Sequence, residues 1–286
     1  MESLRDRYDH VPKKRLGQHF LRDRGVIQKI IDGAGFLPSD HVLEIGAGLG
    51  ELTIPLAGRV QRITAVEKDP QLTDMLEERL FRARINNVTL INEDILRLDL
   101  EGIKGHSQEK IKAIGNLPYN ISSPFLEKLL TNRDIISRAV LMFQYELARR
   151  LLSGPGGKEY GAITVMIQYN AAVSPLLEVA KEAFYPRPKV GSMVIMIDME
   201  RQYPVRAKDD AQFKRVVKAA FSHRRKTVLN SLKGTLTSHG DEAISEALNR
   251  SGIDPRRRAE TIDIDGFIRL AAELQAQKAE DEKIRR

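Results

Sequence analysis

From Asp40 to about Asp198, short apolar runs alternate with segments whose apolar residues recur at helical spacing. The runs are His41–Ile45, Arg62–Val66, Val88–Ile91, Lys112–Ile114 and Arg138–Phe143. Between them, Pro70–Arg82 and Pro124–Leu130 are amphipathic. Such alternation predicts an α/β fold with a parallel sheet and helices on both faces. Strands that are apolar almost throughout fit burial on both sides. Two later runs, Ala162–Gln168 and Ser192–Ile197, lack a helix of ordinary length between them. They are expected to pair antiparallel at one sheet edge. The connecting segment carries Pro175, Pro186 and Pro188, which predicts a stretch that is largely loop.

The pattern changes after Arg201-Gln-Tyr-Pro204. Helical periodicity dominates Asp209–Leu236, Asp241–Arg250 and Ile264–Lys278. This predicts a large domain over residues 1–200 and a small helical domain over 201–286. A chain of 286 residues suits that division, at roughly 100–200 residues per domain.

Charge narrows the partner. The net charge is +7 and the sequence pI is about 9.5, which favours a polyanion and ranks nucleic acid ahead of an anionic membrane surface. Cysteine is absent, which excludes disulfides, thiolate metal sites and cysteine nucleophiles, and no metal is expected. The stretch from Met1 to Leu16 has no apolar core of a signal peptide, and no apolar run is long enough to span a bilayer. A cytoplasmic, monomeric protein is the expectation.

Candidate chemistry gathers at the predicted strand ends. Glu44-Ile-Gly46-Ala-Gly48-Leu-Gly50 follows the first clear strand and precedes a helix expected to start near Glu51. Glycines there permit a tight turn and close approach of backbone to a ligand. The spacing departs from the dinucleotide fingerprint G-x-G-x-x-G, which favours a nucleoside without a pyrophosphate. Glu67 ends the second strand, where an acid commonly accepts ribose hydroxyls. Asp94 follows the third, where a carboxylate can accept from an adenine amine.

Asn116-Leu117-Pro118-Tyr119 ends the fourth strand. The N6 lone pair of adenine is delocalised into the ring, so that amine is a poor nucleophile. Two acceptors, the Asn116 side-chain oxygen and the Leu117 carbonyl, can hold its two hydrogens and favour a pyramidal nitrogen. Pro118 fixes the backbone, and Tyr119 offers a face for an extruded base. Alignment and electrostatics, rather than a strong general base, would carry such a reaction.

These motifs resemble the RNA adenine N6,N6-dimethyltransferase family, on the side of the bacterial 16S ribosomal RNA enzymes. The resemblance covers almost the whole chain. It runs through Lys14-Arg-Leu-Gly-Gln-His-Phe-Leu21, the glycine loop, Glu67, Asp94 and Asn116-Leu-Pro-Tyr119. It continues in Phe184-Tyr-Pro-Arg-Pro-Lys-Val190, Phe221-Ser-His-Arg-Arg-Lys-Thr-Val-Leu-Asn-Ser-Leu232 and Arg258-Ala-Glu-Thr-Ile262. It implies a Rossmann-like class I methyltransferase sheet with S-adenosylmethionine as cofactor. It further implies dimethylation of two adjacent adenosines in a loop near the 3′ end of 16S rRNA, in the small ribosomal subunit. Carried over by position, it implies cofactor contacts from His19, Leu21, Gly46, Glu67, Asp94 and Asn116. Phe184 would stack on the target base opposite Tyr119. The bacterial enzymes often have Asn where His19 stands.

Basic clusters mark where RNA would lie: Lys13-Lys14-Arg15, Arg187 with Lys189, Arg224-Arg225-Lys226 and Arg256-Arg257-Arg258. Three other readings stand beside this one. A large-subunit rRNA dimethyltransferase would share the catalytic motifs but not the arginine-rich segment, read here as helical. A DNA adenine methyltransferase usually carries Pro-Pro-Tyr in the reacting motif. A non-catalytic assembly factor would not need an intact glycine loop with Glu67, Asp94 and Asn116.

Overall fold

A computed structural model describes residues 11–13, 16–105, 108–237 and 239–284, apart from the side chains of Tyr119 and of 278–284. The described chain divides into two compact units. The first comprises residues up to Ala148 together with Val173–Glu200. The second comprises Arg149–Ala172 and residues from Arg201 onward. Residues 149–172 thus belong with the helical unit and not with the sheet.

The first unit is built on a seven-stranded sheet in the order β4-β3-β2-β5-β6-β9-β7. Its strands are β2 (His41–Ile45), β3 (Arg62–Glu67), β4 (Val88–Asn92), β5 (Ile111–Asn116), β6 (Ile136–Gln144), β7 (Ala172–Val179) and β9 (Ser192–Asp198). Parallel pairing joins β4 to β3, β3 to β2, β2 to β5 and β5 to β6. Strand β9 returns antiparallel to β6, with Arg138 opposite Asp198 and Gln144 opposite Ser192. A separate two-stranded ladder pairs β1 (Phe20–Leu21) with β8 (Phe184–Tyr185).

One face of the sheet closes with helices on an apolar core. Val42, Ile63, Ala65, Ile114 and Val140 supply the strand side, and Ile27, Ile30, Ile31, Leu56, Leu76 and Leu80 the helical side. The Pro70–Arg82 helix begins where expected, because Pro70 stands at its first turn and the Asp69 side chain accepts from the Gln71 N–H. The helix after the glycine loop spans only Thr53–Ala57, not a run from Glu51.

Two expectations at the sheet edge are corrected. Ala162–Asn170 is a helix, not a strand, and its Val165 and Tyr169 lie in the core of the second unit. A short run that is apolar on every side fits a buried helix as well as a buried strand, so periodicity could not separate them. The partner of β9 is β6, and the edge strand is β7, within the segment expected to be loop. Pro175 is compatible with β7 because an edge strand can leave one N–H position unpaired.

The second unit packs Phe213, Val216, Val217, Leu232, Ile244, Leu248, Phe267 and Leu274 into its own core. From Arg201 onward its helices are Asp210–Ala220, Val228–Lys233, Asp241–Arg250 and Ile264–Ile284, beside Ala162–Asn170. The arginine-rich segment is not helical. Arg224-Arg225-Lys226 lies in the turn between the first two of these helices. Tyr169 stacks on Phe213 with ring centroids 4.1 Å apart, and its hydroxyl donates to Asp210 at 2.5 Å. Among the described residues no helix is long and apolar enough to cross a membrane.

At the start of β2, an Arg62 N–H donates to His41 Nδ1 at 2.9 Å, and His41 Nε2 lies 2.8 Å from the Thr64 hydroxyl. Burial, followed by the Arg62 charge, lowers the His41 pKa from 6.5 to about 4. The folded protein thus binds this proton less well than the unfolded chain does. Its stabilising contribution is complete above about pH 6.5 and is lost as pH falls towards 4. Urea midpoints measured across that window should fall with acidification, and His41→Gln should flatten the fall. An unchanged slope in the variant would assign the acid sensitivity to other groups.

Candidate active site

Because β4, β3, β2 and β5 are adjacent and parallel, their carboxyl ends share one edge of the sheet. Gly46 follows β2, Glu67 ends β3, Asp94 follows β4 and Asn116 ends β5. All four line one open cleft of about 920 Å³, together with His19, Leu117 and Pro118.

The glycine loop turns back over the end of β3. Gly46 has φ +72° and Gly48 has φ +56°, conformations that a side chain would strain. The N–H groups of Gly46 and Ala47 donate to the Val66 carbonyl at 2.9 and 3.2 Å. A Cβ on Gly46 would stand 3.5 Å from the Asn116 carbonyl oxygen, so any side chain there would reach the reacting motif. Arg79 fastens the loop from the Pro70–Arg82 helix, donating to the Leu49 carbonyl and, at 3.3 Å, to Glu51.

Glu67 bridges the glycine loop and the turn after β3. One carboxylate oxygen accepts from the Gly48 N–H and the other from the Asp69 N–H, each at 2.9 Å. Burial pushes its pKa up, against those N–H groups. Each oxygen keeps a second lone pair for a hydroxyl donor. Glu44, beneath the loop in β2, is 1% exposed, and burial raises its pKa to about 8. It is therefore protonated at neutral pH, which relieves repulsion with Glu67.

Asp94 is fixed in a one-turn loop after β4. Its Oδ1 accepts from the Leu96 N–H at 3.0 Å, and its Oδ2 pairs with Lys68 Nζ at 2.8 Å. Burial raises the Asp94 pKa, but the Lys68 contact and the Leu96 N–H outweigh it and the net shift is downward. Lys128, on the Ser122–Thr131 helix, donates to the carbonyls of Leu96, at 3.2 Å, and Leu98. It ties the loop of Asp94 and Ile95 to the helix that follows the reacting motif. Burial lowers the Lys128 pKa, while Asp99, Asp94 and Glu93 oppose that shift.

At the reacting motif, Asn116 Nδ2 donates to the His19 carbonyl at 2.8 Å. The amide nitrogen is thereby committed, and its oxygen is left as the acceptor. Pro118 has φ −54° and ψ 135°, and its carbonyl accepts from the Ile121 N–H at 3.1 Å. Lys13 and Gln18 both bind the buried Asp69 carboxylate, at 2.7 and 3.1 Å, and hold the segment before β1 against the Pro70–Arg82 helix. His19 Nδ1 lies 2.6 Å from the Pro186 carbonyl.

The structure brings together His19, Gly46, Glu67, Asp94, Asn116 and Leu117. It does not place Leu21 or Phe184 in the cleft. Leu21 is 3% exposed and Phe184 is 5% exposed, and both pack into the core of the first unit. Phe184, expected opposite Tyr119, packs into that core, and the exposed aromatic of its strand is Tyr185. The Tyr119 side chain, Lys14 and Arg15 lie outside the described residues.

Arg187 and Lys189 are exposed just after β8, with Arg187 paired to Glu182. In the second unit Arg224, Arg225 and Lys226 are exposed. The Val228 N–H bonds the Arg257 carbonyl at 2.7 Å, which brings the Arg256-Arg257-Arg258 turn beside them. Gln18, Phe20, Lys68 and Ile95 also line the cleft and were missed by motif reading. Lys68 directly follows Glu67, so only its immediate neighbour marked it. Lys128 carried no local signal at all, because its role depends on carbonyls about 30 residues upstream.

A parallel sheet with a glycine loop and two strand-end acids meeting beside the end of β5 defines a Rossmann-like class I methyltransferase with S-adenosylmethionine as cofactor. The open glycine cradle and the carboxylate acceptors suit its nucleoside. The chain belongs to the ribosomal RNA adenine dimethylase family, whose profile matches residues 10–276. It is 43% identical over 270 residues to the ribosomal RNA small subunit methyltransferase A of Desulforapulum autotrophicum, covering 94% of each chain. It is also 43% identical over 272 residues to the protein of that name from Moorella thermoacetica, covering 93% of each. A dimethyladenosine transferase from Plasmodium falciparum superimposes with a TM-score of 0.75 at 26% identity, covering 91% of this chain and 98% of the other. The 23S rRNA methyltransferase ErmE gives 0.67 at 26% identity, covering 90% and 99%.

Removing the Lys128 ammonium should loosen the loop that carries Asp94. Lys128→Met is expected to weaken S-adenosylmethionine binding roughly tenfold, about the loss of one charge-assisted hydrogen bond. Lys128→Arg should recover part of it. Calorimetric titration reads this directly, and wild-type affinity in Lys128→Met would remove the positioning role.

Proposed function

We propose that this protein dimethylates N6 of two adjacent adenosines in a loop near the 3′ end of 16S rRNA, within the small ribosomal subunit, as a step linked to subunit maturation. The observation that carries the chemistry is the committed orientation of the Asn116 amide. Its oxygen and the Leu117 carbonyl accept the two N6 hydrogens of the target base. Holding both turns the nitrogen towards a pyramidal geometry and frees its lone pair. The bound cofactor supplies an electrophilic methyl group on a sulfonium.

Adenine N6 becomes cationic on methylation and sheds its proton readily to water, so no side chain need act as a strong base. The rigid turn at Pro118 keeps the Leu117 carbonyl in register with Asn116. For the second round one hydrogen remains on N6, and one of the two acceptors suffices to hold it. Tyr119 stacks on the extruded base.

Small-subunit specificity is supported by the relatives named ribosomal RNA small subunit methyltransferase A. Lys14, Arg15, Arg187, Lys189, Arg224, Arg225 and Lys226 bind RNA phosphates. Such contacts make affinity fall steeply with salt. The protein acts as a monomer, in the cytoplasm where small subunits mature.

Small subunits lacking the modification should accept label from the cofactor, with reverse-transcription stops at two neighbouring adenosines. Label confined to large-subunit RNA would overturn the target, and absence of transfer to any rRNA would overturn the activity. Asn116→Ala should cut the rate by about 10²–10³-fold, the scale of losing one preorganised hydrogen-bonding group. RNA affinity should change little. Near-normal turnover would refute the role given to Asn116.

A further inference from the structure

Strand β8 presents its two aromatic rings on opposite faces. Directly opposed residues of an antiparallel pair lie on the same face, and successive residues alternate. The register pairs Leu21 with Phe184 and Phe20 with Tyr185. Leu21 and Phe184 point into the core. Phe20 lines the cofactor cleft, and its ring lies 3.4 Å from where a Cβ on Gly48 would stand. Tyr185 therefore shares the cleft face of the ladder. It is 39% exposed, against 5% for Phe184.

Tyr185 is also braced. The Arg22 guanidinium sits over its ring, 5.1 Å from the centroid. The Arg22 N–H bonds the Ala183 carbonyl at 2.8 Å, and the His19 ring reaches the Pro186 carbonyl at 2.6 Å, so the backbone on both sides of the ring is held. Arg187 and Lys189 follow within four residues and are exposed. A held aromatic face backed by a guanidinium, with cations along the same strand exit, is the composition of a stacking platform for single-stranded nucleic acid.

We infer that Tyr185, backed by Arg22, is a second stacking site, which receives an unpaired base of the RNA beside the cleft rather than the adenine undergoing methylation. The inference rests on the RNA reading of the previous section. It adds Tyr185 to the RNA-binding residues and leaves the reacting adenine to the tetrad at the end of β5.

Binding of a short oligoadenylate to the full chain, titrated across a series of salt concentrations, tests this without any methyl transfer. Tyr185→Ala should weaken binding roughly 5- to 150-fold, the range for losing one base–aromatic stack. The dependence of log affinity on log salt should stay as in the wild type, because no phosphate contact is lost. Tyr185→Phe should bind like the wild type. Lys189→Ala serves as the contrast, since losing one phosphate contact lowers the slope by about 0.7. S-adenosylhomocysteine binding reports the fold, and Tyr185→Leu, which keeps apolar bulk without a π-face, should show the same loss if Tyr185→Ala fails that check.

Wild-type affinity in Tyr185→Leu, or a loss in Tyr185→Phe equal to that in Tyr185→Ala, overturns the stacking site. So does a reduced salt slope in Tyr185→Ala, or failure of the wild type to bind the oligonucleotide. Failure of methyl transfer to small subunits would strike the proposed function alone.

Discussion

The hydrogen bond from the Asn116 amide to the His19 carbonyl, at 2.8 Å, is the contact on which the cleft depends. It joins the end of β5 to the segment leading into β1. That segment is in turn held by Lys13 and Gln18 on Asp69 and by the β1–β8 ladder. The bond also settles which end of the Asn116 side chain can accept a proton donor. An amide turned the other way would offer N–H groups to an amine that has hydrogens to give. The same residue thus closes one wall of the cleft and sets the polarity of its reacting edge.

Around that bond, charge is distributed so that the nucleoside side of the cleft remains acceptor-rich without mutual repulsion. Glu67 spends one lone pair of each oxygen on a backbone N–H, which binds the glycine loop to the end of β3. Asp94 is stabilised as an anion by Lys68 despite partial burial. Glu44, fully enclosed, is neutral at neutral pH. Burial acts on all three carboxyls, and their partners decide which carry charge. Lys128 extends the scheme from the opposite direction, since its ammonium neutralises the carbonyl end of the Asp94 turn.

The parts legible in the sequence were those with a short-range physical signature. Strands β2 to β6 stood out as apolar runs, and the Pro70–Arg82 helix by its amphipathic spacing. Gly46, Glu67, Asp94 and Asn116 were legible because each sits at a strand end, and parallel strands bring such ends to one edge. The edge of the sheet was not legible. Ala162–Asn170 carries β-branched residues yet folds as a helix because another core surrounds it. Strand β7 was masked by Pro175, which only its edge position makes acceptable.

By itself the sequence determined the parallel sheet, the cofactor loop, the reacting tetrad and the basic character, since each follows from residue types a few positions apart. Tertiary structure alone decided how β8 faces. Phe184 and Tyr185 are adjacent aromatics, and only pairing with β1 turns one into the core and leaves the other exposed. It also decided the Asn116–His19 and Lys128–Leu96 contacts, which span 97 and 32 residues. The reason is the same in each instance: which side of a strand is buried, and which distant carbonyl a donor meets, depend on packing partners that local spacing does not specify.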